Sequence, residues 1–558
     1  MPGVRVLARH RVADALREGG FGDSAPAAAQ DATALALKLR AEKLVTGSVT
    51  VRGHAFSLSA QLVDVATGRT ERTASERGRY PDDLLDRVDR LCFELSRAFG
   101  QVRGREPGSG LATRSLEASR LFLAAVTAFG QGGRSAAEEA EGLLDLALTR
   151  DPAFAQAFVK KAEVQQWRRQ WGYGNPDPAP AVRAALRLVK ELPHRERMLV
   201  ESFESLILRG QPETALTQWS SLLRLYPTFA QEVGVPALAA DTLMRAGRWA
   251  DVVLVGEAHV DAPALRPHDR ARLAWCLAQA YRRRGELDKA LPRARESVRL
   301  WPARSGAEFL VQRASLGRIA LEAGLRDEAL AEFRAIGNAP EADAPSLTNG
   351  AWGFYMAGSP REAEALAKRA LALDPSYGNA HHLLGWILLA SGDPQAAARH
   401  FEAAFERTPA SFGHPHTGTV SGDLAALYYA GVAYLKAGLA TEAISAFERV
   451  SELCRRLLAS RQQLGEAGAW QAESFLARAE ARLGVSVDEP RLLKGDDSTY
   501  LVQSARLHAV QGRRELALSQ LARGLGLGFG ERQHIRDDPD FESLRGDPEF
   551  ERLLRQGR

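Results

Sequence analysis

Two stretches of this chain overlay at a spacing of 34 residues. In Leu347–Pro375 and His381–Pro409, Gly358 answers Gly392, Ala363 answers Ala397, Ala370 answers Ala404 and Pro375 answers Pro409. A period of this size is the strongest constraint on the fold. A unit so short cannot bury its apolar face alone and has to stack on copies of itself. Glycine permits a tight turn at positive φ, and proline cannot continue a helix, so Gly392 turns the chain and Pro409 ends the unit. Small residues at Gly385, Ala397 and Ala404 let two helices approach, with Leu388 and Phe401 expected to fill the space between them.

Period, small residues and closing proline together resemble the tetratricopeptide (TPR) repeat. The same register recurs more loosely elsewhere. Ser119–Pro152 ends in a Thr-Arg-Asp-Pro exit, and Val200–Pro227 carries Gly210, Ala215 and Trp219. Arg272–Pro302 carries Gly285 and Ala290, and Ala307–Ile336 carries Gly324, Ala329 and Phe333. Asp423–Val450 carries Gly438, Ala443 and Phe447, and Tyr500–Gly524 carries Gly512, Ala517 and Leu521. Pro236–Val260 and Trp470–Leu483 are weaker helical pieces. Trp167–Pro180 and Ala410–Gly422 read as insertions.

The first hundred residues have a different pattern. Val4–Ala8 is a short strand signal, and Ala27–Ala41 has helical spacing. Lys43–Val51 and Phe56–Val65 flank an Arg52-Gly53-His54 turn, which predicts a hairpin. Thr67 and Gly68 close the second strand, and Tyr80–Phe99 returns to helix. Gln101–Gly110 is polar and rich in glycine, a linker composition.

The run "RVLARHRV…ALALKLRAEKLVTGSVTVRGHAFSLSAQLVDVATGRT" resembles the second half of the TolB-like α/β domain, over about Pro2–Gly100. That domain precedes TPR arrays in bacterial signalling proteins, among them Ser/Thr kinases, class III nucleotide cyclases and winged-helix regulators. Its opening strand and helix have no counterpart here, so an upstream start or a truncated relative with an open sheet edge is expected. "LPHRERMLVESF" and the tail "DDPDFESLRGDPEFERLLRQ" are similar to segments of the same group. The expected fold is mostly α: a TPR-type solenoid preceded by a small, incomplete α/β domain. The expected domains are 1–100 for the TolB-like part, 101–112 for a linker, 113–530 for the repeats and 531–558 for capping helices.

Composition excludes several classes. Seventy-three basic against sixty-nine acidic residues leave a net charge of +4, too little for a nucleic-acid partner at this length. Cys92, Cys276 and Cys454 are too few and too far apart for a disulfide framework or a zinc site. No apolar run is long enough for a membrane span, and the start lacks a signal-peptide core. A cytoplasmic location is expected, or an extracytoplasmic one if a membrane helix precedes this region.

No catalytic, metal or cofactor constellation stands out. His414 and His416 lack a third ligand at suitable spacing, and a Pro/Gly/Thr loop explains them. The glycines of Gly524–Gly530 follow a helix and not a strand, so they do not make a phosphate loop. Asp537, Asp538 and Asp540 lack the later Gly and Glu of a calcium loop and read as a capped turn. Trp167, Trp171 and Tyr173 read as an insertion packed on its neighbours.

The functional expectation comes from the resemblance. First-helix positions that face the groove of TPR arrays map here to Arg272, Trp275, Gln279, Arg282, Arg318, Trp352, Tyr355, His382, Trp386 and Tyr428. Aromatic and arginine side chains are the usual anchors of interfaces. They would suit a protein or peptide ligand carrying apolar and acidic groups. The paired Lys and Asn of chaperone-tail carriers are missing. The expected protein is a non-enzymatic scaffold or sensor in bacterial signalling. The alternative is the C-terminal regulatory half of a larger kinase or cyclase, and the open sheet edge offers a route to self-association.

Overall fold

The computed structural model describes residues 29–80, 83–96, 113, 115–171, 176–301, 307–407, 421–459, 461–487 and 498–555. The Val4–Ala8 strand, the 101–112 linker, His414 and His416 lie outside them, as do the side chains of Trp171 and Tyr173. The chain packs as two compact units, Met1–Ala239 with Ala258–Arg270, and Ala240–Glu257 with Ala271–Arg558.

In the first unit, α1 (Ala29–Lys38) leads into an antiparallel sheet of β1 (Lys43–Arg52), β2 (Ala55–Asp64) and β3 (Thr70–Arg79), ordered β1-β2-β3. The hairpin is as expected: Arg52 faces Ala55 across the turn, and Gly53 takes φ +60°. Phe56, Leu58, Ala60 and Leu62 of β2 are buried on the face covered by α2 (Leu84–Ser96). The third strand departs from the sequence reading. Thr70–Arg79 has no apolar alternation, and its inner face meets α2 through ion pairs, Arg87–Glu76 at 3.3 Å and Arg72–Glu94 at 3.6 Å. Its strand character is visible only as alternation of exposure.

Helices follow: α3 (Leu116–Gly130), α4 (Arg134–Arg150), α5 (Ala155–Trp171), α6 (Ala179–Arg187), α7 (His194–Phe203), α8 (Pro212–Leu225) and α9 (Pro227–Glu232). Trp167 is not in an insertion. It lies in α5, buried edge-on against Phe129 of α3 at 5.6 Å between ring centres. Glu204–Leu208 forms a π-helical turn after α7. Then come α10 (Val235–Arg245), α11 (Trp249–His259) and α12 (Pro267–Arg283).

The second unit continues with α13 (Leu287–Leu300), α14 (Ala307–Glu322), α15 (Arg326–Asn338), α16 (Ala344–Met356), α17 (Pro360–Leu373), α18 (Gly378–Ala390) and α19 (Pro394–Arg407). It closes with α20 (Ser421–Lys436), α21 (Ala440–Ala459), α22 (Arg461–Arg482), α23 (Ser498–Val510), α24 (Arg514–Gly526), α25 (Arg532–Asp537) and α26 (Pro548–Arg555).

Repeat register and structure coincide here. Gly358, Gly392, Gly438 and Gly512 all end a first helix at φ +71° to +87°. The residue after each glycine bonds back into the helix, as Ser359 N–H does to Phe354 O at 2.9 Å, so orphan carbonyls of the last turn are satisfied. The alanines that follow, Ala363, Ala397, Ala443 and Ala517, are fully buried. Gly317, Gly385 and Gly431 sit mid-helix where a Cβ would strike Phe333, Phe401 and Phe447 of the next helix. The missing side chain makes room for the ring. Phe401 fills that space as expected, whereas Leu388 is only half-buried at the margin of the core.

Candidate functional site

The ten groove candidates sit on the first helices of successive pairs: four on α12, one on α14, two on α16, two on α18 and one on α20. Arg272, Trp275, Arg282, Tyr355, Trp386 and Tyr428 are buried, and Gln279, Arg318, Trp352 and His382 are half-buried.

Three of them tie one helix pair to the next. Arg272 pairs with the fully buried Asp241 of α10 at 2.7 Å. Burial would raise that carboxyl, but Arg272 and Arg245 outweigh it and hold the pKa at about 2. Trp275 Nε1 donates to Ser315 Oγ at 2.9 Å, and Arg282 grips both oxygens of Glu322. Gln279 lies on α12 between Trp275 and Arg282.

The rest face a segment that the groove reading did not include. The chain between α24 and α26 lies against them. Tyr355 Oη donates to Asp537 at 2.7 Å, and Tyr428 Oη donates to Asp540 at 2.6 Å. His534 stacks on Trp352 at 6.1 Å between ring centres and meets Trp386 edge-on at 4.3 Å. Trp386 Nε1 donates to His382 Nε2 at 3.2 Å, so His382 is the neutral tautomer with its proton on Nδ1. Burial, and then His534, push its pKa down to about 3. Glu531 lies near Arg282 and Arg318. Burial opposes its charge, yet His534 and these two arginines hold its carboxyl below the usual range.

Three arginines from later helices complete the site. Arg478 of α22 reaches Asp540 at 2.8 Å, Arg482 of α22 reaches it at 2.9 Å, and Arg506 of α23 reaches Asp538 at 2.6 Å. Both carboxylates are fully buried, as is Arg478. Arg478 also lies over the Tyr428 ring at 4.8 Å and the Phe475 ring at 4.3 Å. Asp538 accepts from the Asp540 backbone N–H at 3.0 Å, so the turn is capped as its sequence suggested. The pairing with Arg478, Arg482 and Arg506 was not legible, because those residues lie outside the repeat positions assigned to the groove. Paired buried carboxylates and guanidiniums bind charge and shape; among the described residues they offer no metal cluster.

The Gly524–Gly530 run finds its use in packing. Gly528 takes φ +92° and lies so close to Gly285 that a Cβ would be 3.1 Å from its Cα. A Cβ on Gly530 would strike Glu322. These glycines let the chain leave α24 and pass close to the end of α12 and to α14.

Residues 354–412 match a family model described as a tetratricopeptide repeat, and residues 425–453 match a second tetratricopeptide-repeat model. The chain carries TPR repeats. No curated protein matches it. Among solved structures it is similar to pilF of Pseudomonas aeruginosa at 16% identity over 50% of this chain and 97% of that one, with a TM-score of 0.27. MamA protein is 16% identical over 39% of this chain and 98% of that one, with a TM-score of 0.25. YrrB, described as a TPR protein with an unusual peptide-binding site, is 20% identical over 32% of this chain and 83% of that one, with a TM-score of 0.23. These scores are low, and the fold assignment rests on the TPR repeats themselves. The TolB-like likeness and the kinase or cyclase setting have no counterpart in these matches. Among the described residues no helix is long and apolar enough to cross a membrane.

Proposed function

We propose that this chain is a non-enzymatic interaction scaffold or sensor of bacterial signalling, taking a protein or peptide partner on the groove face of its second unit. One observation carries the reading: the aromatic and arginine residues of α14, α16, α18 and α20 converge on an acidic, aromatic-bearing stretch of polypeptide. A surface that holds one such stretch has the chemistry to hold another.

The test uses the half-buried positions, because Trp275 and Arg282 join helix pairs and their loss would disturb the fold. Full-length chain would be the bait in its native cell extract, beside an Arg318→Ala/Trp352→Ala variant of equal melting temperature. Loss of the captured partner in the variant is expected. Equal capture would remove the groove from the proposal.

A second reading makes this region the regulatory half of a larger kinase or cyclase. Its support is the edge of β1, where Val45, Val49 and Val51 are exposed on the face that β2 buries. A strand from outside the described residues would complete that face. Catalytic motifs in the reading frame upstream of Met1 are the expected finding under this reading.

A further inference from the structure

The segment from Gly528 to Asp540 is anchored at both ends and lies across the groove face between them. On one side Gly528 is seated against Gly285. On the other, Phe541, Leu544 and Phe550 are buried in one core with Val502, Ala505 and Leu521 of α23 and α24. Between the anchors the contacts are chiefly polar and aromatic. Asp537, Asp538 and Asp540 meet Tyr355, Tyr428 and the three arginines, His534 meets two tryptophans, and Ile535 reaches into the same core as Phe541, with Phe529 packed against it. Beside it a cavity of about 280 Å³, lined by Leu389, Lys436, Arg536, Asp537 and Phe550, leaves one flank unpacked.

We infer that this strap is a built-in ligand of the groove, and that the external partner carries the same chemistry: an acidic peptide with two aspartates one residue apart beside an aromatic residue. The inference rests on the groove reading above and adds the partner's class and the step that admits it. Lifting the strap uncovers Arg478, Arg482 and Arg506 next to Tyr428, Trp386 and Trp352. Buried guanidiniums without carboxylates are costly, so the opened groove selects for anions. Two carboxylates at this spacing meet them in the geometry Asp538 and Asp540 already use. Apolar peptides leave the arginines unpaired and are rejected. Covalent attachment gives the strap an effective concentration advantage of about 10²–10⁴ over a free peptide of equal fit. The closed state is therefore the resting one, and a partner enters only with further contacts outside the groove or after the strap is weakened.

The probe is a fluorescein-labelled synthetic peptide of residues 528–545, read by anisotropy against two full-length proteins, wild type and Asp538→Ala/Asp540→Ala. In the variant the arginines lack their carboxylates, and the peptide supplies them. Binding to the variant is expected at least about 100-fold tighter than to wild type. It should vanish when both aspartates of the peptide are changed to asparagine. A folded variant that does not bind the peptide overturns the inference.

Should the variant not fold, hydrogen exchange in the wild-type chain decides. Amides of 531–540 opening well before those of α16 and α18 support a strap that lifts. Amides opening only together with those helices overturn it. Failure here is separable from failure of the groove reading. Capture lost in the Arg318/Trp352 variant without peptide binding would leave the groove standing and remove the strap as its ligand.

Discussion

The hydroxyl of Tyr428 on α20 donates to Asp540 at 2.6 Å, and the same carboxylate takes Arg478 and Arg482 of α22. One side chain from beyond the last repeat thus joins two helices of the array. Burial alone would raise the Asp540 carboxyl, but the two arginines outweigh it and hold it below the ordinary carboxylate value. The charge is stabilised by pairing, and the pairing holds the strap.

Asp540→Ala is expected to cost about 3–5 kcal/mol, because it leaves Arg478 buried and unpaired. Tyr428→Phe removes one hydrogen bond to a charged group and should cost about 1.5–3 kcal/mol. Denaturant unfolding followed by circular dichroism orders the two. A Tyr428→Phe loss larger than that of Asp540→Ala would mean that the ring environment, and not the ion pair, holds the segment.

Acid is expected to destabilise the groove through its buried histidines, alongside His268 and His400 elsewhere, whose pKa values burial lowers to about 4. His382 has its pKa pushed to about 3 by burial and by His534, and His534 is lowered by burial and by Arg506. A histidine with a depressed folded pKa contributes stability that is complete above about 6.5. That stability is lost as pH falls toward the folded value. Asp540, also depressed, adds its own loss only below about 3.8. Melting temperature should therefore decline from pH 6.5 downward, with about 2 kcal/mol gone by pH 5 from His382 alone and a further loss from His534. His382→Gln should flatten the upper part of that decline. A wild-type profile level from pH 7 to 5 would show that neither ring is buried neutral.

Much of this was legible in the sequence where spacing carries the physics. Gly392, Ala397 and Phe401 sit where the repeat needs them, because positive φ and close helix approach leave few residue choices. The strand Thr70–Arg79 was not legible. It buries charged stems through ion pairs, so its hydrophobic alternation is absent. The ten expected positions fall on successive first helices, but the segment lying against the later ones was not legible. Asp538 and Asp540 are ordinary turn residues by sequence, and only the return of the chain onto α22 and α23 gives them Arg478 and Arg506. Burial of Trp167 was hidden for another reason. Gly and Pro residues after it suggest an insertion, although α5 runs on to Trp171.

Glycine-to-alanine changes should have opposite signs at two helical positions. Gly142, in α4, has nothing near its would-be Cβ, so Gly142→Ala is expected to stabilise by about 0.5–1 kcal/mol through helix propensity. Gly385, in α18, would put that Cβ 2.7 Å from the Phe401 ring. There the propensity gain of about 1 kcal/mol is opposed by an overpacking cost of about 1–3 kcal/mol. Gly385→Ala should lower the melting temperature while Gly142→Ala raises it. A stabilised Gly385→Ala protein would mean the Phe401 ring moves aside without loss.

The two edges of the small sheet are unlike, and that contrast predicts how copies of the chain behave. β3 carries Glu71, Arg72, Glu76, Arg77 and Arg79, and charges along an edge discourage pairing with another strand. β1 carries charge only at its ends, Lys43 and Arg52, while Val45, Val49 and Val51 are 55%, 64% and 48% exposed. Among the described residues nothing covers that apolar row. If the edge pairs two copies, sedimentation should show a mass that rises with protein concentration. Val49→Lys should return it to the monomer value without lowering the melting temperature, since the side chain points into open space. Thr73→Lys, on the already charged β3, should change nothing. Association that survives Val49→Lys would assign self-contact to another surface.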